Sequence, residues 1–152
     1  MHDYDFGDLK VGMRVNVEGD CAGDGSWRAR QISVKEDGDA DELEGAVQGS
    51  DPAQRLLRVL GLAMHVPAAI EILDLEKHPA DLEALVPGTR VKIKGRLGDG
   101  RSFDPHKIKL KVHTPDCHDE IEGRITAVDS RQRTLTVLGF RVWCADDVAI
   151  ES

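Results

Sequence analysis

DELEGAVQGSDPAQRLLRVLG, residues 41–61, returns 78 residues later as DEIEGRITAVDSRQRTLTVLG, residues 119–139, with 11 of 21 positions identical. Working outward from this pair, LKVGMRVNVEG at 9–19 matches LVPGTRVKIKG at 85–95 with Leu, Gly, Arg, Val and Gly in place, at an offset of 76. Between the two blocks Gly23-Asp24-Gly25 answers Gly98-Asp99-Gly100, Trp27 answers Phe103, and Ile32 answers Ile108. Ile70 and Ile72 answer Val148 and Ile150. Shared order at shared spacing is the signature of an internal repeat, and a period of this length exceeds the solenoid range, so the chain reads as a duplicated small domain.

Each copy reads as strands. Residues 90–97 alternate polar and apolar side chains with period two, as a half-buried strand requires, and residues 107–112 alternate again after a Gly-Asp-Gly turn. Further strands are expected at 121–128, 134–138 and 140–144, with a short return at 148–150. The first copy repeats the scheme at 13–19, 28–35, 43–47, 56–60 and 62–66. Closure into a small barrel removes the open edges that so short a sheet cannot otherwise protect. The expectation is an all-β chain of two tandem OB-like barrels, residues 1–72 and 85–152. A joint at 73–84 carries one or two helical turns bounded by Pro79 and by Pro87-Gly88. A barrel this small buries only about 60% of its unfolded surface, so the copies are expected to pack together.

The chain has 152 residues and a net charge of −8, which argues against general attraction to phosphate backbones. Residues 1–84 carry 8 basic and 18 acidic side chains, whereas residues 85–152 carry 12 and 10. The acidic run 36–42 reads as a solvated loop. No apolar stretch is long enough to span a membrane, and no secretory signal opens the sequence. The chain reads as cytoplasmic, or as periplasmic or extracellular if an export segment lies upstream. Three cysteines without a C-x-x-C pair form neither a disulfide framework nor a four-cysteine zinc site.

The pattern L-x-x-G-x-R-V-x-V-x-G, then G-D-G, then E-G-x-I-x-x-V-D and T-L-T-V-L-G, resembles a bacterial OB-like family known only as a domain of unknown function, five-six-six-six. The resemblance covers residues 9–72 and again 85–150. It implies a fold, tandem occurrence and frequent export, and it supplies no catalytic residues.

Among residues able to carry chemistry, Arg90, Lys92, Lys94 and Arg96 on one strand and Lys107, Lys109 and Lys111 on the next form a basic face. Phe103 and Trp143 are its only candidate aromatics, with an inward Phe103 as the alternative. Single-strand binding by an OB barrel also needs stacking platforms, which this chain nearly lacks, so a solvated lysine face or docking against acidic surface is the plainer reading. His113, Cys117 and His118, with His106 upstream, form the most ligand-dense loop and the candidate zinc site. The plainer reading there is a polar loop, and Cys117 with Cys144 is an alternative disulfide. Trp27 and Trp143 read first as packing residues and second as a ligand platform. No nucleophile motif or close pair of carboxylates in an apolar setting appears, so no enzyme and no cofactor is expected. The resulting expectation is an acidic, non-catalytic binding or scaffolding module. A protein partner or self-association is favoured over nucleic acid, with polyanion binding and zinc binding as alternatives.

Overall fold

The computed structural model describes residues 3–21, 26–36, 38, 40–98, 102–112 and 118–152, Cys21 by its backbone only. It is nearly all β, 59% strand and 4% helix. In the first half of the chain the strands are β1 (Arg14–Cys21), β2 (Ser26–Lys35), β3 (Asp41–Asp51), β4 (Leu56–Val59), β5 (Leu62–His65) and β6 (Glu71–Leu73). The second half adds β7 (Arg90–Leu97), β8 (Phe103–Leu110), β9 (Asp119–Asp129), β10 (Thr134–Val137), β11 (Phe140–Trp143) and β12 (Ala149–Glu151). The expected strands are thus present. The joint contributes a single 3-10 turn, Leu82–Ala84. The acidic run is only partly a loop, because β3 starts at Asp41, whose carboxylate accepts a hydrogen bond from the Leu97 amide at 3.0 Å.

The strands group differently from the two copies. One compact unit is Met1–Asp39 with His118–Ser152, and the other is Ala40–Cys117. These replace the boundaries 1–72 and 85–152 expected from the repeat. In the first unit β1 pairs antiparallel with β2 and β9, β9 with β10, and β10 with β11; β11 then runs parallel to β2 and closes a five-stranded ring. β12 adds to β2 in parallel. In the second unit β3 pairs with β7 and β4, β4 with β5, and β7 with β8, all antiparallel, while β6 lies parallel to β8. There β5 meets the residue preceding β8 at one isolated parallel bridge, Ala63 with Ser102. Read along the chain, residues 40–117 give a three-stranded meander followed by a hairpin, the OB order. The first unit has the same pairing with its chain order circularly permuted.

A short connection accounts for this exchange. In the closed ring the end of β2, Lys35, faces Arg14, and the start of β9, Asp119, faces Gly19. The two points are five residues apart along β1 and two strand spacings across it, a separation of about 20 Å. Between Lys35 and Asp41 lie only residues 36–40, whose full reach is also about 20 Å. That leaves no length for the two reversals of direction needed to bring β3 back beside β1. The second copy has residues 111–118 for the same step, so it is the first copy that cannot close on itself. The chain therefore leaves the first barrel at 36–40, builds a complete unit, and returns with β9 to finish the ring.

Local features recur in both units and explain the identical positions. Arg14 donates to Glu122 at 2.6 and 3.0 Å, and Arg90 donates to Glu44 at 3.1 Å. Arg14 and Arg90 are only 7% and 5% exposed. The V-L-G segments make two-residue hairpin loops with Leu60 and Gly61, or Leu138 and Gly139, all at positive φ. Arg55 reaches the carbonyl oxygens of Val66 and Pro67, and Arg133 those of Cys144 and Ala145, which fastens the chain leaving β5 or β11 to the preceding turn. Gly19 and Gly95 sit at bulges, where a Cβ would collide with the backbone carbonyl of Arg28 or Asp104.

Each unit has its own apolar centre. Val15, Val17, Trp27, Ile32, Ile121, Ile125 and Phe140 are buried in one, and Leu43, Val47, Leu62, Val91, Ile93, Phe103 and Ile108 in the other. No described helix is long and apolar enough to cross a membrane. Residues 40–117 produced alone are expected to show a β-type circular dichroism spectrum and one cooperative thermal transition. Residues 85–152, the second copy as the repeat frames it, are expected to show neither. The opposite pairing of results would refute the strand grouping.

Candidate functional site

An opening lies on the closed barrel. β11 alternates, with Phe140 and Val142 inward and Arg141 and Trp143 outward, because successive side chains of a strand take opposite faces. β11 runs parallel to β2 with Trp143 opposite Arg28 and Val142 opposite Trp27. Trp143 and Arg28 are therefore neighbours on the outer surface, while Trp27 lies inward, its ring centroid 5.7 Å from that of Phe140. Around them is a cavity of about 610 Å³, within the usual range for ligand sites. Gln132 and Arg133 from the β9–β10 turn and Asp20 from the end of β1 complete its wall. A second cavity of about 410 Å³ adjoins it, sharing Asp20, Arg28 and Ala145, and is more polar.

The lining has distinct parts. Trp143 is 52% exposed, a large apolar face open to solvent in a chain with only 4% aromatic residues. Trp27 is 1% exposed, and its indole N–H has no acceptor among the described residues. Such an orphaned donor carries a desolvation cost that native interiors seldom retain without reason. Arg133 is committed to structure: besides its two carbonyl acceptors it lies 3.3 Å from Asp146, and its guanidinium sits 5.0 Å from the Phe6 ring centroid. Asp20 is held by Arg30 at 3.0 Å, with His118 Nδ1 at 3.6 Å. In the other unit the equivalent positions hold Phe103, Asp104, His65 and Arg96 in place of Trp27, Arg28, Trp143 and Asp20.

The basic face expected on the second copy is divided. Arg90 is buried on Glu44 and Phe103 is 1% exposed, so neither belongs to an outer surface. Both correct the sequence expectation: the β3–β7 pairing sets Ala46 opposite Arg90 and Glu44 opposite Lys92, so that Glu44 meets the Arg90 guanidinium diagonally, while Phe103 takes the inward face of β8. Lys94 and Lys92 lie 3.5 and 4.0 Å from Glu42, and Lys107 lies 3.8 Å from Glu71. Arg96, Lys109 and Lys111 stand on or beside the same hairpin and reach solvent. Val112 is exposed beyond the end of β8. Of the proposed zinc loop, His113 and Cys117 fall outside the described residues. His118 belongs to the Asp20 contact, and His106 is exposed on β8. Among the described residues no group of three potential ligands converges on a point.

Cys144, in the wall of the groove, is a buried free thiol. Burial pushes its pKa up to about 11, with Arg133 pulling more weakly in the opposite direction. At pH 8 only roughly a thousandth of it is then thiolate, the reactive form. Brief iodoacetamide treatment of the native protein at pH 8 is expected to leave Cys144 unmodified by peptide mapping, with complete labelling after denaturation. Rapid native labelling would contradict this environment.

Residues 1–33 match the family model described as a domain of unknown function, DUF5666. The match runs through β1 and most of β2, the strands that open the closed barrel. Searches of curated proteins and of solved structures find no match. Through its first two strands the chain is similar to the DUF5666 family.

Proposed function

We propose that the protein is a non-catalytic binding module and that the groove beside Trp143 holds its ligand. The observation that carries this reading is the half-exposed Trp143 flanking a largely apolar cavity at the mouth of a closed barrel. In OB-type order the groove is bounded by the third strand, the first turn and the facing ends of the two strands of the final hairpin, the end of the barrel where such folds take ligands. A Trp face offers a flat apolar surface for a ring, and Arg28 beside it offers donors to an acceptor on that ring. Residues 1–39 with 118–152 carry 9 basic and 16 acidic side chains, net −7, which disfavours a polyanion here. A neutral or weakly charged ring fits best, such as one sugar or aromatic unit. The wall favours binding over catalysis, since its thiol is held protonated and its Asp20 carboxylate is engaged by Arg30.

Trp27 and Trp143 are the two tryptophans of the chain and both line the groove, so indole fluorescence reports on this site alone. Titration with neutral oligosaccharides and small aromatic acids is expected to give a saturable change for one of the two classes. Trp143→Ala should weaken that ligand about tenfold or more, the usual worth of a stacking face, with the melting temperature little changed. Unaltered binding by Trp143→Ala, or no response to either class, would refute the assignment.

A further inference from the structure

The β7–β8 hairpin carries a pattern that the fold does not require. Lys92 stands directly opposite Lys109, and Lys94 directly opposite Lys107. Like charges at facing positions destabilise a sheet. The same barrel positions in the other unit are Asn16, Ser33, Glu18 and Gln31, so an equivalent hairpin forms without any of the four lysines. β6 adds a fifth. It pairs with β8 so that Leu73 faces Lys109, and the following turn is braced by Asp74, whose carboxylate accepts the Glu76 and His78 amides at 2.9 Å each. That turn carries Lys77, held at a φ of 66°.

Compensation on this face is incomplete. Glu42 serves both Lys92 and Lys94, and Glu71 serves Lys107. Lys109 has a different environment: Lys107 is the largest influence lowering its pKa, followed by slight desolvation and then by Lys94, Lys77 and Lys92. The charges that lower it are all lysines. Residues 40–117 carry 11 basic and 12 acidic side chains, net −1, so no strong background field opposes an anion there. Acidic residues farther off are screened over about 8 Å at physiological salt.

We propose that Lys77, Lys92, Lys94, Lys107 and Lys109 form a docking surface for a linear chain of phosphates, with Lys109 at its centre. Lysines two apart on a strand repeat every roughly 7 Å along the hairpin, a row of point charges suited to a flexible phosphate chain. No Phe, Tyr or Trp of this hairpin is exposed, Phe103 being buried, and the small His106 imidazole is its one exposed ring among the described residues, so the surface is poorly equipped to stack successive bases. The occupant is therefore inorganic polyphosphate, held by charge alone. This site is independent of the Trp143 groove.

The test is titration of the full chain with fluorescently labelled inorganic polyphosphate at 50 and 200 mM NaCl. Four phosphate contacts should give a salt slope near −3, an affinity loss of about 50-fold between those concentrations. Lys109→Glu should reduce binding more than tenfold. Lys109→Ser, which places there the residue the other barrel carries, should keep the fold and still weaken binding several-fold, whereas Trp143→Ala should bind as the wild type does. Salt-independent binding, full affinity in Lys109→Ser, or tighter binding of oligothymidylate than of polyphosphate would overturn the proposal. So would a doubled mass at low salt without polyphosphate, which would make a second copy the occupant.

Discussion

An arginine buried against a glutamate ties each unit together, and in both cases the two residues come from different halves of the sequence. Arg14 on β1 meets Glu122 on β9, and Arg90 on β7 meets Glu44 on β3. Such charges are costly to bury alone, and removing one partner of a fully buried pair costs about 3–5 kcal/mol. The pairs are largely covered, with Glu122 13% and Glu44 15% exposed, and Asn16 gives Glu122 a further donor at 3.3 Å. They fix β1 to β9 and β7 to β3 in register, and the remaining strands follow from hairpin turns. The strand arrangement thus rests on which glutamate each arginine finds.

Much of this was legible in the residues. Alternation placed the strands, the V-L-G segments placed the hairpins, and the repeat announced two similar units. The partition was not legible, because both copies carry the same Arg and the same Glu, so pairing within a copy and pairing across copies look identical in sequence. What separates them is the length of 36–40, a property of reach rather than of residue type. The expectation that each copy closes on itself failed for that reason. The charge asymmetry between residues 1–84 and 85–152 changes with it, becoming −7 and −1 once the units are drawn as the strands pair.

The candidate sites were harder to see because the identical positions are occupied by the fold. Glycines, the V-L-G leucines, Arg55 and Arg133 recur for backbone reasons, and Arg133, although it walls the groove, is spent on carbonyls. The groove is formed where the copies differ: Trp143 where the other copy has His65, Arg28 where it has Asp104, Trp27 where it has Phe103. The lysines around Lys109 likewise face Asn16, Glu18, Gln31 and Ser33 in the alignment. Between the matching segments, identity marks what holds the strands together and divergence marks where each unit has its own surface. Alternation identified the lysine face, but it did not show that Arg90 would be buried by Glu44 or that Glu42 and Glu71 would offset part of the charge.

The most direct test of the strand exchange is a pair of double-mutant cycles on thermal or denaturant stability. One cycle combines Arg14→Met with Glu122→Gln, and the other combines Arg14→Met with Glu44→Gln. Pairing across the copies predicts a coupling of about 1 kcal/mol or more in the first cycle and none beyond error in the second. Coupling of Arg14 to Glu44, with additivity toward Glu122, would mean that each copy closes on itself and would contradict the architecture.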